Sequence, residues 1–186
     1  MQKLTKTEAV RFLLEKDGFT IVTHRRPDGD TLGSAAALCR GLRALGKRSH
    51  ILHNPEITEK YAPLHHGLTK PTLEQGDVVL CVDVAAPELL SEGVSAEQVA
   101  LRIDHHKSAT GFTPLAWVEH TAAACGQMIF DCLQEMGVTL DIPMANALYT
   151  AVSTDTGCFR FANTQPETFL VAAACAKAGA DLPRLN

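Results

Sequence analysis

Five apolar residues stand in an unbroken row between two aspartates in Asp77-Val78-Val79-Leu80-Cys81-Val82-Asp83. A strand without a polar side chain on either face has to be covered on both, which places it inside a parallel sheet. Val99-Ala100-Leu101-Arg102-Ile103-Asp104 has much the same character, and residues 19–24 and 48–53 read as two further strands. Between and after these lie longer stretches that read as helices: 31–45, stopped at Gly46; 122–136, stopped at Gly137; 142–154, with Pro143 in its first turn; and 166–177, ended by Gly179. Leu38, Leu42 and Leu45 recur at helical spacing and read as core. Residues 158–161 read as a short extended piece, and 181–186 as the start of a connector. The alternation predicts an α/β fold with a mostly parallel, Rossmann-like sheet of about five strands flanked by helices.

No apolar run approaches the ~20 residues of a membrane span. The N-terminus has no apolar stretch followed by a small-residue cleavage site, so cytoplasm is the expected compartment. The net charge of -4 argues against a partner as long as a nucleic-acid polymer, because tracking many phosphates calls for a basic excess. None of the six cysteines pairs with another at C-x-x-C spacing, and all read as reduced, buried small hydrophobes.

In open α/β sheets, ligands bind beyond the carboxyl ends of the strands. The chemically unusual residues stand there. His24 closes one strand, with Asp28 and Asp30 in the loop after it; Asp83 closes a second and Asp104-His105-His106 a third, while Asp155 ends a helix before Thr156-Gly157. Carboxylates gathered in one place raise one another's pKa and oppose folding unless a cation relieves them. Oxygen donors with a few imidazoles and no thiolate suit Mn²⁺ or Mg²⁺, and the donor count is enough for two ions. Two ions ~3.5–4 Å apart are the usual apparatus for in-line displacement at phosphorus. The second histidine pair, His65-His66, has neither a strand nor an aspartate before it and reads as a surface-loop feature. His50, His53 and His120 read as satisfied polar residues, and Gly33-Ser34-Ala35-Ala36-Ala37 both as close helix-on-sheet packing and as a helix N-terminus facing phosphate. Gly29 and Gly33 do not complete a G-x-G-x-x-G fingerprint, which disfavours a dinucleotide-binding domain.

The stretches His24-Arg25-Arg26-Pro27-Asp28-Gly29-Asp30, Val82-Asp83, Ile103-Asp104-His105-His106 and Ser153-Thr154-Asp155-Thr156-Gly157 resemble, in order and spacing, the four motifs of the DHH phosphoesterases. With Cys158-Phe159-Arg160-Phe161-Ala162-Asn163-Thr164 behind it, the last is most similar to the nano-RNase A-like branch of oligoribonucleases and 3′-phosphoadenosine 5′-phosphate (pAp) phosphatases. The resemblance implies a manganese-dependent phosphoesterase that hydrolyses short oligonucleotides or pAp by in-line attack of a hydroxide shared between two metals. It implies that His24 and Asp28 hold one ion, that Asp30, His105 and Asp155 hold the other, and that Asp83 bridges them. It also implies catalytic parts for His106, facing the phosphate, and for Asp104, orienting the histidines, with Arg160 as a substrate contact. The domain division it implies is a catalytic domain over 1–180 and, from 181, a connector to a C-terminal substrate-binding domain beyond this chain, which alone would be weak or inactive. A homodimer is compatible with this reading. The alternatives are a cyclic-dinucleotide phosphodiesterase or family II inorganic pyrophosphatase on the same scaffold, or a non-catalytic metal- or nucleotide-binding module. The segment Glu119-His120-Thr121-Ala122-Ala123-Ala124-Cys125-Gly126-Gln127 departs from the family pattern in being Ala/Cys-rich, with Thr121 expected to cap the helix after it.

Overall fold

The computed structural model describes residues 1–108 and 110–185. In chain order they form β1 (Gln2–Lys3), α1 (Lys6–Glu15), β2 (Phe19–Val22), α2 (Gly29–Ala44), β3 (Ser49–Leu52), β4 (Thr69–Lys70), β5 (Val78–Val82), β6 (Val99–Asp104) and β7 (Leu115–Val118), then α3 (Cys125–Glu135), α4 (Ile142–Asp155), α5 (Pro166–Lys177) and the single turn α6 (Leu182–Leu185). All strand pairs are parallel, in one sheet ordered β1-β7-β6-β5-β2-β3-β4. The central position expected for 78–82 is borne out: β5 lies between β2 and β6. From β2 the chain steps outward through β3 and β4, then returns to β5 and steps outward the other way. The strand order thus reverses between β2 and β5, which opens a crevice beyond their carboxyl ends.

Seven strands replace the five expected, because β1 and β4 are two-residue edge strands and β7 has only four residues. Such short pieces carry no periodicity of their own; their partners, far away in sequence, define them. The first helix was also missed, although its signal was present: Thr5 and Glu8 form a capping box, with the Thr5 N–H donating to the Glu8 carboxylate at 2.8 Å.

The helices gather on one face of the sheet. Phe19, Ile21, Leu80, Val82, Leu101 and Ile103 meet α1 to α4 there in the main core. Their alternates Val22, Val79 and Cys81 face a smaller cluster built with Val84, Leu90 and Val99, and loops cover it. Helix α4 is buried nearly all round, packed on α2, α3 and α5. Ala35, Ala36 and Ala37 of α2 lie in the main core with the sheet residues, while the helix's glycines Gly29 and Gly33 serve the contact with α4. A Cβ at Gly33 would lie 2.3 Å from the Ala147 carbonyl, and one at Gly29 would lie 2.5 Å from the Thr154 side chain. These two contacts also show that α2 and α4 run antiparallel.

Residues 158–161 are not extended. Gly157, Cys158 and Phe159 all have φ between 55° and 62°, a left-handed turn in which the Cys158 N–H reaches back to the Ser153 carbonyl at 2.7 Å. The turn satisfies the carbonyls at the end of α4, which extended backbone would leave open. Cys158 is consequently exposed, while the other five cysteines are buried, and all six are free. Of the connector expected from 181, residues 182–185 form α6 with Leu182 and Leu185 against the core, and Asn186 lies outside the described residues. No helix among the described residues is long and apolar enough to cross a membrane.

Candidate metal centre

The crevice between β2 and β5 gathers the strand-end residues. Asp28 caps α2, its Oδ1 accepting from the backbone N–H groups of Asp30 and Thr31 at 3.0 and 3.1 Å. Thr31 donates its hydroxyl to the Val82 carbonyl at 3.0 Å, pinning the start of α2 beside Asp83. Asp83 itself has a φ of 60°, a left-handed conformation that costs a non-glycine residue ~1–3 kcal/mol. Its Oδ2 lies 3.8 Å from His24 Nε2, and its Oδ1 lies 3.5 Å from His105 Nε2.

Three overlapping sets of side chains bring their ligating atoms within 4.8 Å of one another: His24, Asp28 and Asp83; Asp30, His105 and Asp155; and Asp83, His105 and His106, which joins the first two. His24 and His105 present Nε2 inward, because Nδ1–H is spent elsewhere: on the Arg25 carbonyl at 2.8 Å for His24 and on the Ala122 carbonyl at 3.1 Å for His105. Asp83 Oδ1 and His105 Nε2 are buried and have no hydrogen-bond partner among the described residues. Such atoms face a lasting desolvation cost unless a cation or donor answers them. The donor set therefore fits divalent metal.

His106 is arranged differently. Its Nδ1 is 2.8 Å from Asp104 Oδ1, which also accepts the His106 backbone N–H, so Nε2 is left for another partner on a half-exposed ring. The bond to Asp104 is the main reason its pKa is raised. Asp104 is fully buried and hydrogen-bonds to His106, whereas His105 is oriented by the Ala122 carbonyl.

The electrostatics match a site built around cations. Burial, foremost, pushes the Asp30 carboxyl up to about 7, with the Asp155 charge adding to it and His105 opposing. Burial also raises Asp83, with the charges of Asp30 and Asp28 adding, and it raises Asp155. Asp28 is the exception: burial pushes it up, but the His24 contact and the start of α2 outweigh that and leave it lowered. The Cys125 thiol is buried against the cluster, donates to the Ile103 carbonyl and is raised well above its ordinary value, so it stays protonated and offers no thiolate.

Several supports of the site lie outside the sequence motifs. Thr121 does not cap α3, because the helix begins at Cys125 and Thr121 donates to Glu119 at 2.7 Å. The cap comes from another part of the chain: Asp30 accepts the Cys125 and Gly126 N–H groups at 2.6 and 2.8 Å, and the Ser34 hydroxyl at 3.0 Å. The unusual Ala/Cys-rich segment thus needs no capping hydroxyl. Arg102, 1% exposed, lies 3.9 Å from Asp104 Oδ2. Its signal was readable, since strand alternation puts Arg102 and Asp104 on one face of β6. Asn163 donates to the Ala123 and Asp155 carbonyls at 2.9 and 3.1 Å, tying the turn after α4 to the start of α3. Arg160 is exposed, and its Nε donates to the Gly157 carbonyl at 2.8 Å. His65 is not a surface feature. It is 4% exposed and donates Nε2–H to the Leu32 carbonyl at 2.9 Å, whereas its neighbour His66 is exposed.

The sequence profile of the DHH family N-terminal domain matches residues 18–152. The chain belongs to the DHH family. It is 36% identical over 168 residues to the bifunctional oligoribonuclease and PAP phosphatase NrnA of Thermus thermophilus, a match covering 89% of this chain and 52% of that protein. Among solved structures, an exopolyphosphatase-related protein from Bacteroides fragilis superposes with a TM-score of 0.84 at 20% identity, over 97% of this chain and 58% of that one. The exonuclease RecJ bound to manganese shares the fold more distantly, with a TM-score of 0.53 at 18% identity, over 95% of this chain and 48% of that one. This DHH chain spans about half the length of the curated relatives it matches.

Proposed function

We propose that this chain carries the metal-binding half of a manganese-dependent phosphoesterase acting on short oligonucleotides and pAp in the cytoplasm. The observation that carries the reading is Asp83, which stands between the two ligand sets, with Oδ2 toward His24 and Oδ1 toward His105. A single-ion site has no use for that division. In this reading His24 and Asp28 would hold one ion, Asp30, His105 and Asp155 would hold the second, and Asp83 would be a ligand to both. Manganese is favoured by the oxygen-rich donor set and by the ion in the distant RecJ relative. Bound divalent ions supply Lewis-acid polarisation of a phosphoryl oxygen and acidify a bound water.

The protein's own share is orientation and proton handling. Asp104 fixes the His106 ring so that Nε2 faces outward, and a raised pKa lets that nitrogen donate to a phosphate oxygen or the leaving group. The substrate class follows the name of the Thermus thermophilus relative, and the net charge of -4 limits it to short chains.

The deciding experiment uses a version extended to the length of the relatives and measures Mn²⁺-dependent phosphate release from pAp and mononucleotide release from a dinucleotide. Both activities are expected, lost with a chelator and in Asp83→Asn. Turnover of pyrophosphate alone would sink the reading, and so would hydrolysis that persists without divalent metal.

A further inference from the structure

A cavity of about 310 Å³ lies at the other end of the α2–α4 pair from the metal centre. Arg40 lines it ten residues beyond Asp30 on α2, hence about 15 Å along the helix at 1.5 Å per residue. Asn146 lines it near the start of α4, the helix that ends at Asp155. Pro63 and Leu64, from the 3₁₀ turn Ala62–His65, and Pro143 supply apolar wall. That turn is fastened in place, because His65 bonds to the Leu32 carbonyl of α2 while His66 lines the cavity.

The cavity carries unpaired positive charge. Arg40, Lys60 and Arg184 line it, and among the described residues none of them forms an ion pair. Arg40 Nε is buried with no hydrogen-bond partner among the described residues. Lys60 sits 5.1 Å over the Tyr61 ring, which holds the ammonium at the rim. Asp181 is the one carboxylate in the lining, so three cations face one anion in a chain whose net charge is -4. Unpaired guanidinium groups converging on a small concave space with an apolar wall suit a bidentate oxyanion joined to a flat apolar body.

We propose that this cavity is a second ligand site, taking a small phosphate-bearing molecule of mononucleotide size. The phosphate meets Arg40, Lys60 and Arg184, and the base lies against Leu64, Pro63 and Pro143. The site is independent of the phosphoesterase reading, since no residue of the metal centre lines it.

The test is calorimetric titration of adenosine 5′-monophosphate into the chain in excess EDTA. Without metal, the acidic centre repels phosphate, so binding that remains belongs elsewhere. We expect saturable binding with Kd below ~1 mM. The double variant Lys60→Gln/Arg184→Gln, both at exposed positions, should weaken it about tenfold or more, and His106→Ala should not change it. Inorganic phosphate should bind at least about tenfold more weakly, because it leaves the apolar wall unused. Absence of saturation up to ~10 mM overturns the proposal. Indifference to the double variant overturns it too, as does loss of binding in His106→Ala, which would place the nucleotide at the metal centre. Equal affinity for inorganic phosphate would overturn the assignment of mononucleotide size.

Discussion

Replacing Asp30 with asparagine should make the metal-free protein more stable at pH 8 and less stable at pH 4. Asp30 is fully buried, and its pKa is pushed from an ordinary 3.8 to about 7. Because the folded value lies above the unfolded one, the folded chain holds the proton more tightly, and stability falls as pH rises through this window. The penalty is absent below about pH 4, grows between pH 4 and 7, and is complete above pH 7. Three pKa units at 1.36 kcal/mol each make it about 4 kcal/mol, a large share of a typical ~5–15 kcal/mol stability. Asparagine removes the charge but turns an NH₂ toward one of the two N–H groups at the start of α3, a loss of ~1–3 kcal/mol. At pH 8 the variant should therefore gain roughly 1–3 kcal/mol, and at pH 4, where only the lost hydrogen bond counts, it should lose that much. Urea unfolding in EDTA, followed by circular dichroism at both pH values, reads the difference as a shift in midpoint at constant slope. Added Mn²⁺ should reverse the order at pH 8, since the parent alone keeps the full ligand set. Equal destabilisation at both pH values would refute the reasoning, because the start of α3 would then compensate the carboxylate fully.

In a version of relative length, Asp83→Asn should cost at least ~10²-fold in turnover, read by steady-state kinetics at saturating Mn²⁺, since in the proposed arrangement one carboxylate would serve both ions. His65→Ala should lower unfolding stability by ~1–3 kcal/mol through the lost bond to the Leu32 carbonyl and the space its buried ring leaves, while Mn²⁺ affinity by titration stays within about threefold of the parent. Gly33→Ala should destabilise by ~1–3 kcal/mol in urea unfolding, because a Cβ 2.3 Å from the Ala147 carbonyl forces α2 and α4 apart.

The sequence by itself determined the interior of the sheet and the inventory of the site. Asp77-Val78-Val79-Leu80-Cys81-Val82-Asp83 could be read as a central strand because burial on both faces leaves no polar position, and β5 is central. His24, Asp28, Asp30, Asp83, His105, His106 and Asp155 were readable because costly groups at strand ends need a reason to be there, and the structure brings them to one crevice. What only the tertiary structure decided is how these groups are held. The edge strands exist through partners remote in the chain, and the helix-on-helix contact at Gly33 depends on α4 lying across α2. Two histidine pairs of identical sequence part ways for the same reason: His105 turns Nε2 toward Asp30, Asp83 and Asp155, while His65 is buried on a helix carbonyl. The cap of α3 shows the limit best, since Asp30 and Cys125 stand 95 positions apart. Local propensity reports on neighbours in the chain, whereas a carboxylate that answers a helix across the core is chosen by packing, and packing has no period in the sequence.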